Sequence, residues 1–190
     1  MKTIIYKTFA AVLLILIIAA FKKTEKDILV WKEGRPLTWD DFNGKPEKRF
    51  AAASTHYDII KSILKAEAKP MAVTIEAVFF RNSSWKKKSW INDQVLAHEQ
   101  KHFDIVELFA RKLRKSISET RFKSYTDLVE KVNALYDKND KEMDIYQDQY
   151  DDETDGSMNG EKQRTWEKKI MQEINDLKKF EKTAVEVSLN

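Results

Sequence analysis

The sequence predicts an α+β fold, a small antiparallel sheet followed by a bundle of long helices, on three observations. Glycine and proline occur only at Gly34, Pro36, Gly44, Pro46, Pro70, Gly156 and Gly160, so Met71 to Asp155 carries neither breaker. Within Met71–Phe80 the apolar residues Val73, Ile75, Ala77 and Phe79 fall on alternate positions, the period of a strand with one buried face. From Ile91 the period lengthens: Leu96, Phe103, Val106, Ala110, Leu113 and Ile117 recur at steps of three and four or their sums, the stripe of an amphipathic helix.

The elements follow in order. Met1, Lys2 and Lys7 give a basic start, and Phe9 to Ala20 is apolar before Lys22 and Lys23 restore charge. That run is shorter than the ~20 residues of a spanning helix, so residues 1–20 read as a secretory signal, with an uncleaved N-terminal anchor as the alternative. Residues 21–190 then form one domain, exported to the periplasm or secreted. Ile28 to Trp31 is a short strand, and Gly34-Arg35-Pro36 a turn. Ala51 to Leu64, rich in β-branched and aromatic residues, pairs antiparallel with Met71–Phe80 through a turn near Pro70. After the first long helix, Ser124-Tyr-Thr-Asp127 resembles a capping box with Asp in place of Glu. It opens a second helix through Leu128, Val132, Leu135, Met143 and Tyr146, bent or broken around Asp137 to Asp140. The polar segment Asp151–Gly160 links it to a third helix through Trp166, Ile170, Ile174, Leu177 and Phe180.

Composition excludes several classes. There is no cysteine, so neither a disulfide framework nor a lipid-acceptor thiol is available. The net charge of +3, or +1 without Lys2 and Lys7, provides no overall field for nucleic acid. Lys86-Lys87-Lys88 between Trp85 and Trp90 reads as a solvated loop. Contact with a membrane is expected only through the N-terminal signal or anchor.

The first long helix carries His98-Glu99-Gln100-Lys101-His102, an HExxH motif. Side chains four apart lie about 40° apart on a helix, so both imidazoles reach one metal, and Glu99 stands beside it as a general base for water. A catalytic zinc usually has three protein ligands. Glu107 and Asp104 lie about 140° and about 200° round from His102, so the third comes from another element. His56, on the first long strand, and the acids Asp151, Asp152, Glu153 and Asp155 before the last helix are the available donors.

Three segments together resemble a family of bacterial exported proteins described as predicted zinc-dependent proteases. They are Leu37-Thr-Trp39-Asp40-Asp41-Phe42-Asn-Gly44, Leu96-Ala-His98-Glu99-Gln100-Lys101-His102-Phe103-Asp104, and Tyr150-Asp151-Asp-Glu-Thr154 followed by Gln163 and Trp166. The resemblance implies a zincin-like helix with His98 and His102 as zinc ligands, Glu99 as base, and a third ligand from the late segment, where relatives often read Tyr-Asp-x-x-Thr-x-His. Here the position of that histidine is Gly156. Asp155, its neighbour, is the nearest substitute; Asp151 ranks lower, because an acid in such a segment more often caps a helix or makes a turn. His56 is the other candidate.

The activity implied is hydrolysis of a peptide or protein substrate by metal-activated water. Tyr150 is a speculative hydrogen-bond donor to the oxyanion, provided its loop returns over the metal, and the edge of Val73–Phe80 could align an extended substrate. Trp39, Phe42 and Trp166 read as core or cleft-wall aromatics. The competing expectation is a noncatalytic envelope binding protein with a protease-like fold and a degenerate metal site.

Overall fold

The computed structural model describes residues 27–64 and 71–190. The expected N-terminal signal or anchor and the expected turn near Pro70 lie outside the described residues. A four-stranded antiparallel sheet is built around β4 (Met71–Phe80). Along one edge β3 (Tyr57–Leu64) pairs with it from Tyr57↔Phe79 to Leu64↔Ala72. The other edge is shared by β1 (Ile28–Val30), opposite Val78–Phe80, and β6 (Ala184–Val187), opposite Met71–Thr74. With both edges of β4 taken, no substrate strand can add to Val73–Phe80, contrary to the sequence expectation. A two-stranded ribbon pairs β2 (Ala53–Ser54) with β5 (Trp85–Lys86).

Three helices follow: α1 (Asp93–Ser118), α2 (Tyr125–Thr154) and α3 (Gly160–Asp176). The first is central, packing on the sheet through one face and on α2 and α3 through the other. Its sequence stripe faces this core, with Phe103 5.7 Å from Phe79 between ring centroids. Asn92 caps the helix by accepting from the Val95 N–H at 3.0 Å, and Ser124 caps α2 by accepting from the Asp127 N–H at 3.1 Å. Among the described residues no helix is long and apolar enough to cross a membrane.

Three local expectations change. The second helix does not break at Asp137–Asp140 but runs 30 residues. Polar residues on an exposed face cost a helix only tenths of a kcal/mol each, roughly, and Val132 and Met143 bury on either side. The strand expected from Ala51 to Leu64 is interrupted at Thr55 and His56, where the chain passes from the ribbon to the sheet. The third helix ends at Asp176, and after a 3₁₀ turn at Lys178–Phe180 the chain returns as β6.

The early segment is a brace. Asp41, fully buried, accepts from both guanidinium nitrogens of Arg35 at 2.9 Å and from the Thr38 N–H at 2.9 Å, and pairs with Arg81 at 3.0 Å. The Leu37 N–H donates to Gln100 Oε1 at 2.6 Å, which fastens the segment to α1 beside the HExxH motif. Gly44 donates its N–H to Ser84 O at 2.7 Å, so close that a Cβ there would lie 2.8 Å from the same oxygen.

Candidate metal centre

His98 and His102 sit one turn apart on α1 and face α2. Across from them Gln147, Tyr150, Asp151 and Thr154 occupy the i, i+3, i+4 and i+7 positions of α2, so a single helical face meets the motif. Asp151 Oδ1 lies 3.0 Å from Nε2 of both histidines, and those two nitrogens are 3.1 Å apart. Zinc bonds of about 2.0–2.1 Å in tetrahedral array set donor atoms about 3.3 Å apart, close to this spacing.

The outer atoms of both rings are held as well. Gln147 Nε2 donates to the His102 carbonyl at 3.0 Å, which turns its Oε1 to accept from His102 Nδ1 at 2.7 Å. Thr154 donates its hydroxyl to Tyr150 O at 2.6 Å, leaving lone pairs for His98 Nδ1 at 3.5 Å. With protons on both Nδ1 atoms, each Nε2 presents a lone pair to the other and to the Asp151 carboxylate. Three electron-pair donors converging on one point repel unless a cation lies between them. These residues therefore fit a metal ion, and His98, His102 and Asp151 form the group among the described residues that could hold one.

Proton equilibria respond to the same crowding. Burial lowers the basicity of His102, but the hydrogen bond and charge of Asp151 outweigh it and raise the pKa to about 9. Burial acts to raise the pKa of Asp151, and its bonds to His102 and His98 overcome that, holding it well below the usual carboxylate range.

Glu99, 5% exposed, lies at the border of a cleft of about 500 Å³ that also contains both histidines and Asp151. Thr55 donates its hydroxyl to Glu99 Oε2 at 2.7 Å, fixing the carboxylate from the chain segment between β2 and β3.

The other expected site residues lie elsewhere. Asp155 borders the cleft but is the C-terminal cap of α2, with φ 51°, and is outside the converging group. The sequence ranking of Asp155 above Asp151 is thus reversed: α2 continues through Thr154, so a position is reached by helical period and not by nearness to Gly156. Gly156, φ 52°, borders the cleft with nothing within 4 Å of where its Cβ would be. His56 is also outside the group; its Nε2 is 3.9 Å from Glu47. Tyr150 has no exposure, stacks on His98 at 4.7 Å, and turns its hydroxyl toward the His98 carbonyl at 3.4 Å. It packs behind His98 and does not border the cleft, so its hydroxyl is not placed as an oxyanion donor would be. Burial, followed by the charges of Glu167 and Asp151, raises its pKa well above that of an ordinary phenol. Gln147 and Thr55 were not singled out from sequence; Gln147 is one helical turn before Asp151, and Thr55 carries no local signal.

Residues 82–160 match the model of a bacterial protein family of unknown function (DUF922). The match spans β5, α1 and α2 and so contains every residue of the converging group, whereas the early brace precedes it. No curated protein matches the chain, and no solved structure does.

Proposed function

We propose that the chain is an exported zinc-dependent metallopeptidase, delivered by its N-terminal apolar run as a cleaved signal or a retained anchor. The observation that carries this reading is the convergence of His98 Nε2, His102 Nε2 and Asp151 Oδ1 beside Glu99 in an open cleft. Two histidines and one carboxylate form an established catalytic zinc set and also suit non-haem iron. Glu99, next to the first ligand and held by Thr55, favours hydrolysis, since oxygen chemistry at iron has no need of a base there.

His98, His102 and Asp151 would hold the zinc, which when bound supplies a Lewis acid that polarises a peptide carbonyl and makes water acidic enough to react near neutral pH. The chain's own residues do the rest. Gln147 and Thr154 keep the imidazole protons on Nδ1 and both Nε2 atoms turned inward. Because Thr55 occupies Glu99 Oε2, the Oε1 atom is left to accept the proton of the attacking water and pass it to the departing amine. The cleft also has a backbone edge for a peptide. The Lys87 N–H donates to Ala52 O and Ser54 pairs with Trp85, so the N–H and C=O of Ala53 between them point away from β5, and Ala53 itself borders the cleft.

The noncatalytic reading rested on the side chain missing at Gly156. Asp151, five residues earlier, offers a third donor, which favours the catalytic reading over a degenerate site. The deciding experiment is metal analysis of the purified protein together with peptide hydrolysis by wild type and Glu99→Gln. Stoichiometric zinc in both, with hydrolysis only in wild type, is expected. A protein that takes up no zinc, or a Glu99→Gln variant as active as wild type, would overturn the assignment.

A further inference from the structure

The cleft around His98, His102 and Glu99 has two unlike walls. Residues 51–55 give it one of small side chains, where the Ala53 N–H and C=O are not used in the pairing with β5. The other is α2, where Asp140, Asp144, Asp148 and Asp152 recur at every fourth residue, the spacing that keeps side chains on one helix face. Asp148, Asp152 and Asp155 border the cleft directly. Tyr57, at the start of β3, also borders it and, beyond the effect of its burial, lies in the field of Asp144, Asp151, Asp148 and Asp140.

Lys61 of β3 offsets Asp140, which lies farther along α2, but the aspartates nearer the cleft are not neutralised from within. Among the described residues no lysine or arginine pairs with Asp144, Asp148, Asp152 or Asp155, and Asp151 is engaged by the histidines. Arg49 is the one lysine or arginine bordering the cleft, and its guanidinium is held by Glu47 at 3.1 Å and Ser54 at 2.6 Å. A divalent metal at the histidines would offset Asp151 and Glu99 but leave Asp148, Asp152 and Asp155 uncompensated. The apolar lining of the cleft is limited to Val95, the alanines and Phe50, which stands exposed at its border and does not wall a recess. Charge is therefore the means of selection this surface offers, placed opposite a backbone edge suited to an extended chain.

We propose that the cleft takes an extended polypeptide whose lysine or arginine side chains face the aspartates of α2. The proposal rests on the peptidase reading for the groups at the cleft's centre, and it adds which side chains flank the bond to be cut. Binding by such contacts weakens with salt, because exposed charges are screened beyond about 8 Å at physiological ionic strength.

The test uses the full chain carrying Glu99→Gln, so that bound peptides survive, with and without Asp148→Asn and Asp152→Asn together. Lysine-rich, neutral and glutamate-rich fluorescent peptides of matched length are titrated by anisotropy. The lysine-rich peptide is expected to bind at least about tenfold more tightly than the neutral one, with an advantage that shrinks as salt rises and is lost in the aspartate variant. Equal binding of all three, binding of none, or a preference that survives in the aspartate variant overturns the proposal. Calcium binding that is lost in the aspartate variant, without any peptide preference, overturns it in favour of a cation site. Wild-type zinc content and hydrolysis are measured in parallel to separate the two readings. A zinc-loaded wild type that cleaves neutral and basic peptides equally sinks the substrate preference alone. A zinc-free, inactive protein with the lysine preference intact sinks the peptidase reading alone.

Discussion

Gln147 holds His102 at two points, accepting from the ring Nδ1 at 2.7 Å and donating to the residue's own carbonyl at 3.0 Å. The second bond decides which way the amide points, and the amide decides which ring nitrogen carries the proton. One side chain thereby sets the tautomer that leaves Nε2 free for a metal.

Gln147→Leu should keep the fold and lower zinc affinity by about 10–100-fold, the usual cost of losing an outer partner of a ligating histidine. Gln147→Glu, which still accepts from Nδ1, should lose less. Competition with a chromophoric chelator measures both, and equal affinity in wild type and the leucine variant would show that His102 orients itself.

Asp151→Ala should abolish stoichiometric zinc, whereas Asp155→Ala and His56→Ala should retain it, because among the described residues only Asp151 places an oxygen at 3.0 Å from both Nε2 atoms. Metal content after dialysis separates the three. Zinc retained by Asp151→Ala would return the third position to another donor.

The residues that build this site differ in how far sequence exposed them. The periods of Leu96–Ile117 and Val73–Phe79 indicated α1 and β4, because each buries one face and the other positions are free to be polar. His98 and His102 were legible for the same reason: their spacing is meaningful only on a helix. The place of Asp151 beside the histidines was harder to read, because the polar run Asp151–Gly160 resembles a linker, although Gln147, Tyr150, Asp151 and Thr154 form a helical face. Thr55 reaches Glu99 across 44 positions, and β6 reaches β4 from the far end of the chain; neither pairing leaves a local pattern. Gly156 offers no side chain, and the converging group forms without that position.

Asp41 makes acid stability depend on the early segment. Burial opposes its ionisation, but bonds from Arg35 and Thr38 prevail and depress its pKa in the folded chain. The unfolded chain, with an ordinary pKa of about 3.9, then binds more protons, so this contribution is complete above that value and fades as pH falls below it. Asp41→Asn should cost about 1–3 kcal/mol at neutral pH, and the gap from wild type should narrow below about pH 4. Urea denaturation across pH checks this; a gap that is constant down to about pH 2 would rule out the ionised carboxylate as its source.

Glu107 is buried between Arg111 and Arg114, with Oε1 at 2.8 Å from Arg111 Nε and 2.9 Å from Arg114 Nη1. Removing the acid alone, as in Glu107→Leu, strands two buried guanidinium groups and should cost about 3–5 kcal/mol. Replacing an entire buried ion triad with apolar residues is often neutral, but this one has further work. Arg114 donates to Ile75 O and Phe180 O at 3.0 Å each, and Arg111 to Ile174 O at 3.0 Å, joining β4, the end of α3 and the C-terminal turn. A triple apolar variant takes the arginine donors from the Ile75 and Phe180 carbonyls, while Ile174 O keeps the Leu177 N–H at 3.2 Å, and each buried unsatisfied group costs about 1–3 kcal/mol. The triple variant should therefore remain destabilised by several kcal/mol in chemical denaturation. A triple variant as stable as wild type would mean that water or a shifted backbone satisfies the carbonyls, and that the triad does not fasten the C-terminal segment to the sheet.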